Sequence, residues 1–195
     1  MTDLPVAVTV TDSFGLSTSA SATITIASAT TTINVGETTV LSGADNGNGN
    51  LLVAQPITLT QQGTLQSLSF YVATVGGQLR LGLYSGASTP NALVAQGAAF
   101  TPVAGWNMQS VTSPSLPPGQ YWLAYLPSSN TLGFRKAETG GTSYFKSQNF
   151  GAMPVTFPAS PNTTPSHWSL YATFIVTQDT TPPSIPTNLT ATNVS

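Results

Sequence analysis

The chain has 195 residues, 5% of them charged, a net charge of −2 and no cysteine. An average soluble domain carries roughly 25% charged residues. The scarcity here excludes the basic footprint of a nucleic-acid binder and the polybasic patch that holds a protein on anionic lipid. Without cysteine there are no disulfides, thiolate zinc sites or cysteine nucleophiles.

The chain is 40% hydrophobic and 9% aromatic, enough apolar content to offset the entropy of ordering, so it reads as folded. Polarity is carried by Thr, Ser, Asn and Gln rather than by the helix formers Glu, Lys and Arg. No apolar run reaches the ~18 residues of a membrane span. The opening Met1-Thr2-Asp3-Leu4-Pro5 lacks the charged and apolar regions of a signal peptide, and reads as a point inside a longer exported polypeptide.

In chain order, Val6, Val8 and Val10 alternate with small or polar residues, Asp12-Ser13-Phe14-Gly15 supplies a turn, and Ala20, Ala22, Ile24 and Ile26 alternate again. This pattern predicts a β-hairpin. It resembles the last two strands of bacterial immunoglobulin-like repeats, which implies a domain border over residues 1–29.

Residues 30–177 form the central module. Strands are predicted at Thr32–Leu41, Leu51–Leu59, Leu65–Ala73, Gln78–Ser85, Leu93–Phe100, Trp106–Thr112, Gly119–Leu126, Leu132–Ala137, Ser143–Phe150 and Trp168–Thr177. Gly76-Gly77, Thr89-Pro90-Asn91, Pro117-Pro118-Gly119, Ser128-Ser129-Asn130 and Gly140-Gly141 punctuate them. No segment keeps a 3.6-residue period. About ten strands at this spacing predict an all-β fold, a two-sheet antiparallel β-sandwich or jelly roll, preceded by the N-terminal hairpin. By the period of two, Leu79, Leu81 and Leu83 face the core and Arg80, Gly82 and Tyr84 face out. Likewise Trp168, Leu170, Phe174 and Val176 face in, leaving Ser169, Tyr171 and Thr173 outside. Gly119–Leu126 is apolar on both faces, so it is either buried twice or carries a sticky surface.

From Asp179 the chain reads Asp179-Thr180-Thr181-Pro182-Pro183-Ser184-Ile185-Pro186-Thr187-Asn188-Leu189-Thr190-Ala191-Thr192. This resembles the opening of a fibronectin type III domain, with prolines stiffening the linker. The third segment is therefore residues 178–195.

Catalytic chemistry finds little material. Hydrolysis of sugars uses two carboxylates about 5–9.5 Å apart, and the module's acids Glu37, Asp45 and Glu138 read as solvated loop acids. His167, the only histidine, cannot build a metal cluster without several acids, and no Gly-x-Ser-x-Gly elbow accompanies the serines. Tyr144-Phe145-Lys146-Ser147-Gln148-Asn149-Phe150 is similar to a strand of jelly-roll alginate lyases. The companion strands of that family are missing: Arg135-Lys136-Ala137-Glu138 does not match one, and Ser166 stands before His167 where the other has Gln-Ile or Gln-Val. The chain is thus expected to be no enzyme, with a lyase as the distant third reading. No cofactor is expected. The loop Asp45-Asn46-Gly47-Asn48-Gly49-Asn50 alternates oxygens suited to calcium, but one carboxylate and two glycines make a poor cage.

Binding chemistry remains. Aromatic rings stack on the C–H faces of neutral sugars, helped by amide, hydroxyl and guanidinium hydrogen bonds. Tyr84, Arg80, Trp106, Trp122, Tyr125, Arg135, Lys136, Tyr144 and Gln148 are the candidate ligand-binding residues. The alternative for each aromatic is core or edge packing, and Arg135-Lys136 can serve as edge gatekeepers. The phrases Leu65–Val72, Leu79–Tyr84, Pro118–Tyr125 and Phe150–Pro154 resemble a jelly-roll module of large secreted bacterial proteins, which implies a carbohydrate-binding module. The expected partner is a polysaccharide or glycan, with no nucleic acid and no membrane insertion, for a monomer placed outside the cell. The alternative is a structural or adhesive spacer without a sugar site.

Overall fold

The structure, a computed structural model, describes residues 2–26, 28–112 and 114–179. The fibronectin-like segment falls almost wholly outside the described residues. Sixteen strands form among the described residues and no helix. They are β1 (Thr2–Thr11), β2 (Ser17–Ile26), β3 (Ser28–Gly36), β4 (Gly43–Asp45), β5 (Leu51–Leu59), β6 (Gly63–Thr74), β7 (Leu79–Ser85) and β8 (Leu93–Gln96). There follow β9 (Gly105–Ser110), β10 (Ser115–Leu116), β11 (Gly119–Pro127), β12 (Gly133–Ala137), β13 (Ser143–Ser147), β14 (Asn162–Thr164), β15 (His167–Trp168) and β16 (Leu170–Asp179).

The chain divides into two compact units, Met1–Thr31 with Thr177–Ser195, and Thr32–Val176. In the first, β1 and β2 pair in antiparallel register from Thr2↔Ile26 to Thr11↔Ser17. The Asp12 carboxylate accepts from the N–H groups of Phe14 and Leu16, both at 2.9 Å, and closes the turn.

The second unit is built on two antiparallel sheets. One runs β14-β13-β5-β11-β7-β8. The other runs β15-β12-β6-β16-β3, with β9 and β10 also on β6 and β4 on β12. The core between them takes alternate residues of β5, β7 and β11 (Val53, Ile57, Leu59; Leu79, Leu81, Leu83; Tyr121, Leu123, Tyr125). Opposite lie Leu65, Leu68, Phe70 and Val72 of β6 and Leu170, Ala172, Phe174 and Val176 of β16. The inward set on β6 breaks the period of two. The register steps from Thr173↔Ser67 to Phe174↔Leu65, so Gln66 is an extra residue. This bulge moves Ser67, Ser69 and Tyr71 to the outer face.

β11 is buried on both faces. A second apolar cluster forms on its far side from Leu52, Ala54, Tyr84, Trp122, Ala124 and Leu126, roofed by Met153 and Phe157. The segment 149–161 thus straps across the outer face of this sheet. It is tied down by Leu93 N–H to the Val155 carbonyl at 2.9 Å and Phe157 N–H to the Asn91 carbonyl at 2.7 Å.

The strand after Ser166 breaks at Ser169, leaving peptide groups turned into the core. Gln55, buried at 3% exposure, reaches across from the other sheet to satisfy them. Its Oε1 accepts from Trp168 N–H at 2.7 Å, and its Nε2 donates to the carbonyls of Trp168 and Leu170, both at 3.2 Å. One buried amide meeting three backbone groups removes a desolvation cost that an apolar residue there would incur.

Candidate functional site

The sequence-predicted residues divide by position. Tyr84, Trp122 and Tyr144 do gather on one outer face: Trp122 is the cross-strand partner of Tyr84, and its ring meets that of Tyr144 edge-on at 5.2 Å. The strap covers two of them. Tyr84 (0% exposed) and Trp122 (2%) are core residues. Their polar ends are used inside, Tyr84 Oη donating to the Pro154 carbonyl at 2.9 Å and Trp122 Nε1 to the Gly86 carbonyl at 2.8 Å. Burial alone pushes the Tyr84 phenol far above its ordinary range. Tyr125 lies on the opposite face, in the inter-sheet core against Phe70, Phe134 and Trp168. These three rings therefore offer no surface to a sugar, which corrects their reading as an exposed platform.

The polar candidates are also engaged. Arg80 Nη1 donates to the Gly97 carbonyl at 2.6 Å, fastening the turn after β8. Arg135 Nη1 reaches the Ser42 carbonyl at 3.3 Å, and half-buried Gln148 donates to the adjacent Asn149 carbonyl at 3.4 Å. Tyr144 is half-buried, its hydroxyl 3.4 Å from the Ser88 carbonyl.

Trp106 alone among the candidates sits in an open aromatic group, with two partners that periodicity did not single out as ligands. On the outer face of the β6 sheet, Trp106 pairs across strands with Tyr71. Their rings meet edge-on at 5.6 Å, and Trp106 meets Tyr171 at 5.0 Å. All three are half-buried. They converge because Ser69, between Met108 on β9 and Tyr171 on β16, is small enough for Trp106 to lean over it. The trio's neighbours are mostly neutral: Met108 and Ser110 are exposed, Thr173 Oγ1 donates to Asn34 Oδ1 at 2.9 Å, and Arg135, whose carbonyl accepts from Ser169 N–H, borders the group on the β12 side. Tyr171 was legible as outward from the last strand's alternation; Tyr71 was hidden by the bulge at Gln66.

Two of the module's acids, Asp45 and Glu37, are less solvated than the sequence suggests, whereas the Glu138 side chain is 72% exposed, as a loop acid should be. Asp45 Oδ2 accepts from Trp168 Nε1 and Asn48 Nδ2, both at 2.6 Å, and its side chain is 11% exposed. Lys136 Nζ lies 3.5 Å from Asp45 Oδ1 and 3.0 Å from Glu138 Oε1. The Lys136 bond, with one from Ser166 Oγ at 2.8 Å, holds the Glu138 carboxyl below its ordinary range. Burial works against the Lys136 charge, but Glu138 and Asp45 outweigh it and raise its pKa. Tyr125 Oη accepts from Asn48 Nδ2 at 3.0 Å. Burial, with Asp45 beside it, pushes this phenol up.

Asp45, Asn48, Lys136, Ser166 and Trp168 border a cleft of about 380 Å³ at one end of the sandwich, between β4, β12 and β15 on one side and β5, β13 and β14 on the other. His167 belongs to a separate contact, with Nδ1 at 2.6 Å from the Thr139 carbonyl and Nε2 at 3.4 Å from Glu37 Oε2. The loop Asp45–Asn50 spends its groups inward, Gly49 N–H donating to Asn130 Oδ1 at 2.8 Å. Among the described residues, no group of three or more His, Cys, Asp or Glu converges as a metal site would require.

The chain matches no protein-family model, and no curated protein matches it.

Proposed function

We propose that this chain is a non-catalytic, extracellular binding module for a neutral polysaccharide, gripped on the outer face of the β6 sheet. The carrying observation is the half-buried trio Tyr71, Trp106 and Tyr171, with the hydroxyl and amide side chains of Ser110, Thr173 and Asn34 on the same sheet. Aromatic rings take the C–H faces of sugars, and their polar neighbours take the hydroxyls. A sheet presents such rings at fixed spacing, so little ordering entropy is spent on binding.

Affinity electrophoresis on soluble β-glucans, xylans, mannans and pectins tests this reading. Retention by at least one of them, lost in Trp106→Ala, is the expected result. No retention on any would overturn it in favour of the spacer or adhesive module. The burial of Tyr84, Trp122 and Tyr125 is what favours that second reading.

A further inference from the structure

We infer that the cleft at the end of the sandwich is a second binding site, separate from the aromatic trio, and that it takes a neutral polyol such as a single sugar unit. Its volume of about 380 Å³ falls in the roughly 300–1,000 Å³ range of ligand-binding clefts. The lining joins the ring of Phe145, half-buried on β13, to Asp45, Asn48, Lys136, Thr163 and the edge of Trp168.

Charge decides the class of ligand. A carboxylate entering the cleft meets Asp45, and an ammonium meets Lys136, each a like charge beside a buried or half-buried group. A neutral polyol avoids both penalties and uses both groups. Asp45 Oδ1 keeps acceptor capacity beyond its 3.5 Å contact with Lys136, because a carboxylate offers about four lone-pair sites. Lys136 has three donors and faces two carboxylates, which leaves one for a hydroxyl. Asn48 gives Nδ2 to Asp45 and Tyr125, so its Oδ1 is a further acceptor. Donors and acceptors thus alternate around the cleft against one apolar wall, which suits adjacent hydroxyls on a ring whose other face is C–H.

The site is also held in place. Trp168 is fixed through its peptide by Gln55 and through its indole by Asp45, so the cleft is organised before any ligand arrives.

The Trp168 indole N–H, bonded to Asp45, is the reporter, read by NMR on the full chain. Methyl glycosides of glucose, galactose, mannose and xylose are the probes, at on the order of 10 mM, above the millimolar affinity of weak sites. At least one is expected to shift this resonance. The shift is expected to vanish in Thr163→Trp, which fills the mouth from an exposed position without touching the core. In Asp45→Asn, which keeps an acceptor for Trp168, binding should weaken by about tenfold.

Sodium acetate and methylammonium chloride should leave the resonance in place. Trisaccharides of the responding sugar separate two sources: tighter binding assigns a chain end, and equal binding a free sugar. Absence of a shift with all four glycosides overturns the inference. So does an undiminished shift in Thr163→Trp, or a response to acetate or methylammonium as large as to the glycosides. Trp106→Ala leaves the cleft intact, so polysaccharide retention and the indole shift fail independently of one another.

Discussion

The side-chain amide of Gln55 brackets the peptide of Trp168, accepting from its N–H at 2.7 Å and donating to its carbonyl at 3.2 Å. The two residues come from opposite sheets and are buried at 3% and 4% exposure. This contact ties the core to the cleft, because the same tryptophan donates its indole N–H to Asp45.

Gln55→Leu roughly keeps the volume and removes all three bonds, leaving the N–H and carbonyl of Trp168 without that partner, while the Leu170 carbonyl still accepts from Glu37 N–H at 3.0 Å. Each buried unsatisfied group costs about 1–3 kcal/mol. A loss of about 2 kcal/mol or more is expected, read from the urea midpoint at unchanged slope. A loss below about 1 kcal/mol would mean that relaxation or water replaces the amide.

The acid limb of the stability curve follows from Glu37 and Glu138. Partial burial opposes ionisation of Glu37, but bonds from the side chain and N–H of Thr39, then His167, outweigh it and lower its pKa from the ordinary 4.5. Lys136, then Ser166, lowers that of Glu138 from the same value. A carboxyl depressed on folding contributes stability that is complete above its unfolded value and lost as pH falls through its folded value. Lys136 has the opposite sign: its pKa is raised from 10.5, so its contribution is complete below that and lost as pH rises through the folded value. Tm is therefore expected to be level across neutral pH, to fall below about pH 4.5 and to fall again above about pH 10, where the phenols of Tyr84, Tyr121 and Tyr125, raised by burial from 10.0, act in the same sense as Lys136. Glu37→Gln should shallow the acid limb alone; an acid slope unchanged by it would exclude Glu37 as a contributor.

The alternation of Leu79, Leu81 and Leu83, and the double apolar face of Gly119–Leu126, were enough to place β7 and β11 in the sequence. The strands of two or three residues (β4, β10, β14 and β15) are too short to show a period, and three of them were not predicted at all. β6 misleads because Gln66 shifts its parity. The misplaced platform has a different cause. Alternation rightly sends Tyr84 and Trp122 to the face away from the main core, but a strap over that face is an aperiodic segment from elsewhere in the chain. Only Met153 and Phe157 hint at it, and nothing local ties them to β7. Asp45 was read as solvated for the same reason, its partner Trp168 being 123 residues away.

The strap is consequently a test of its own. Phe157 meets the Tyr84 ring edge-on at 5.3 Å and is 5% exposed. Phe157→Ala removes the roof over Tyr84 and is expected to cost about 3–5 kcal/mol, the usual range for a buried phenylalanine. Denaturant unfolding gives the cost, and a red shift of tryptophan emission would report water reaching Trp122. Loss of stability without that shift would mean that Met153 settles into the gap.

Two tyrosines separate the platform expected from the sequence from the one the fold presents. Tyr171→Ala deletes a ring 5.0 Å from Trp106 at a half-buried position, and under the polysaccharide reading it should weaken retention by about tenfold, the scale of one aromatic contact. Tyr84→Phe deletes only the hydroxyl bonded to the Pro154 carbonyl. It should cost about 1 kcal/mol of stability and leave retention unchanged, because that ring lies beneath the strap. The reverse pattern, binding sensitive to Tyr84 and indifferent to Tyr171, would mean that the strap lifts in solution and that the face of β7 and β11 is the one a ligand reaches. Affinity electrophoresis of the two variants beside the parent protein decides between these faces, since both substitutions leave the inter-sheet core of Leu81, Leu123 and Phe70 untouched.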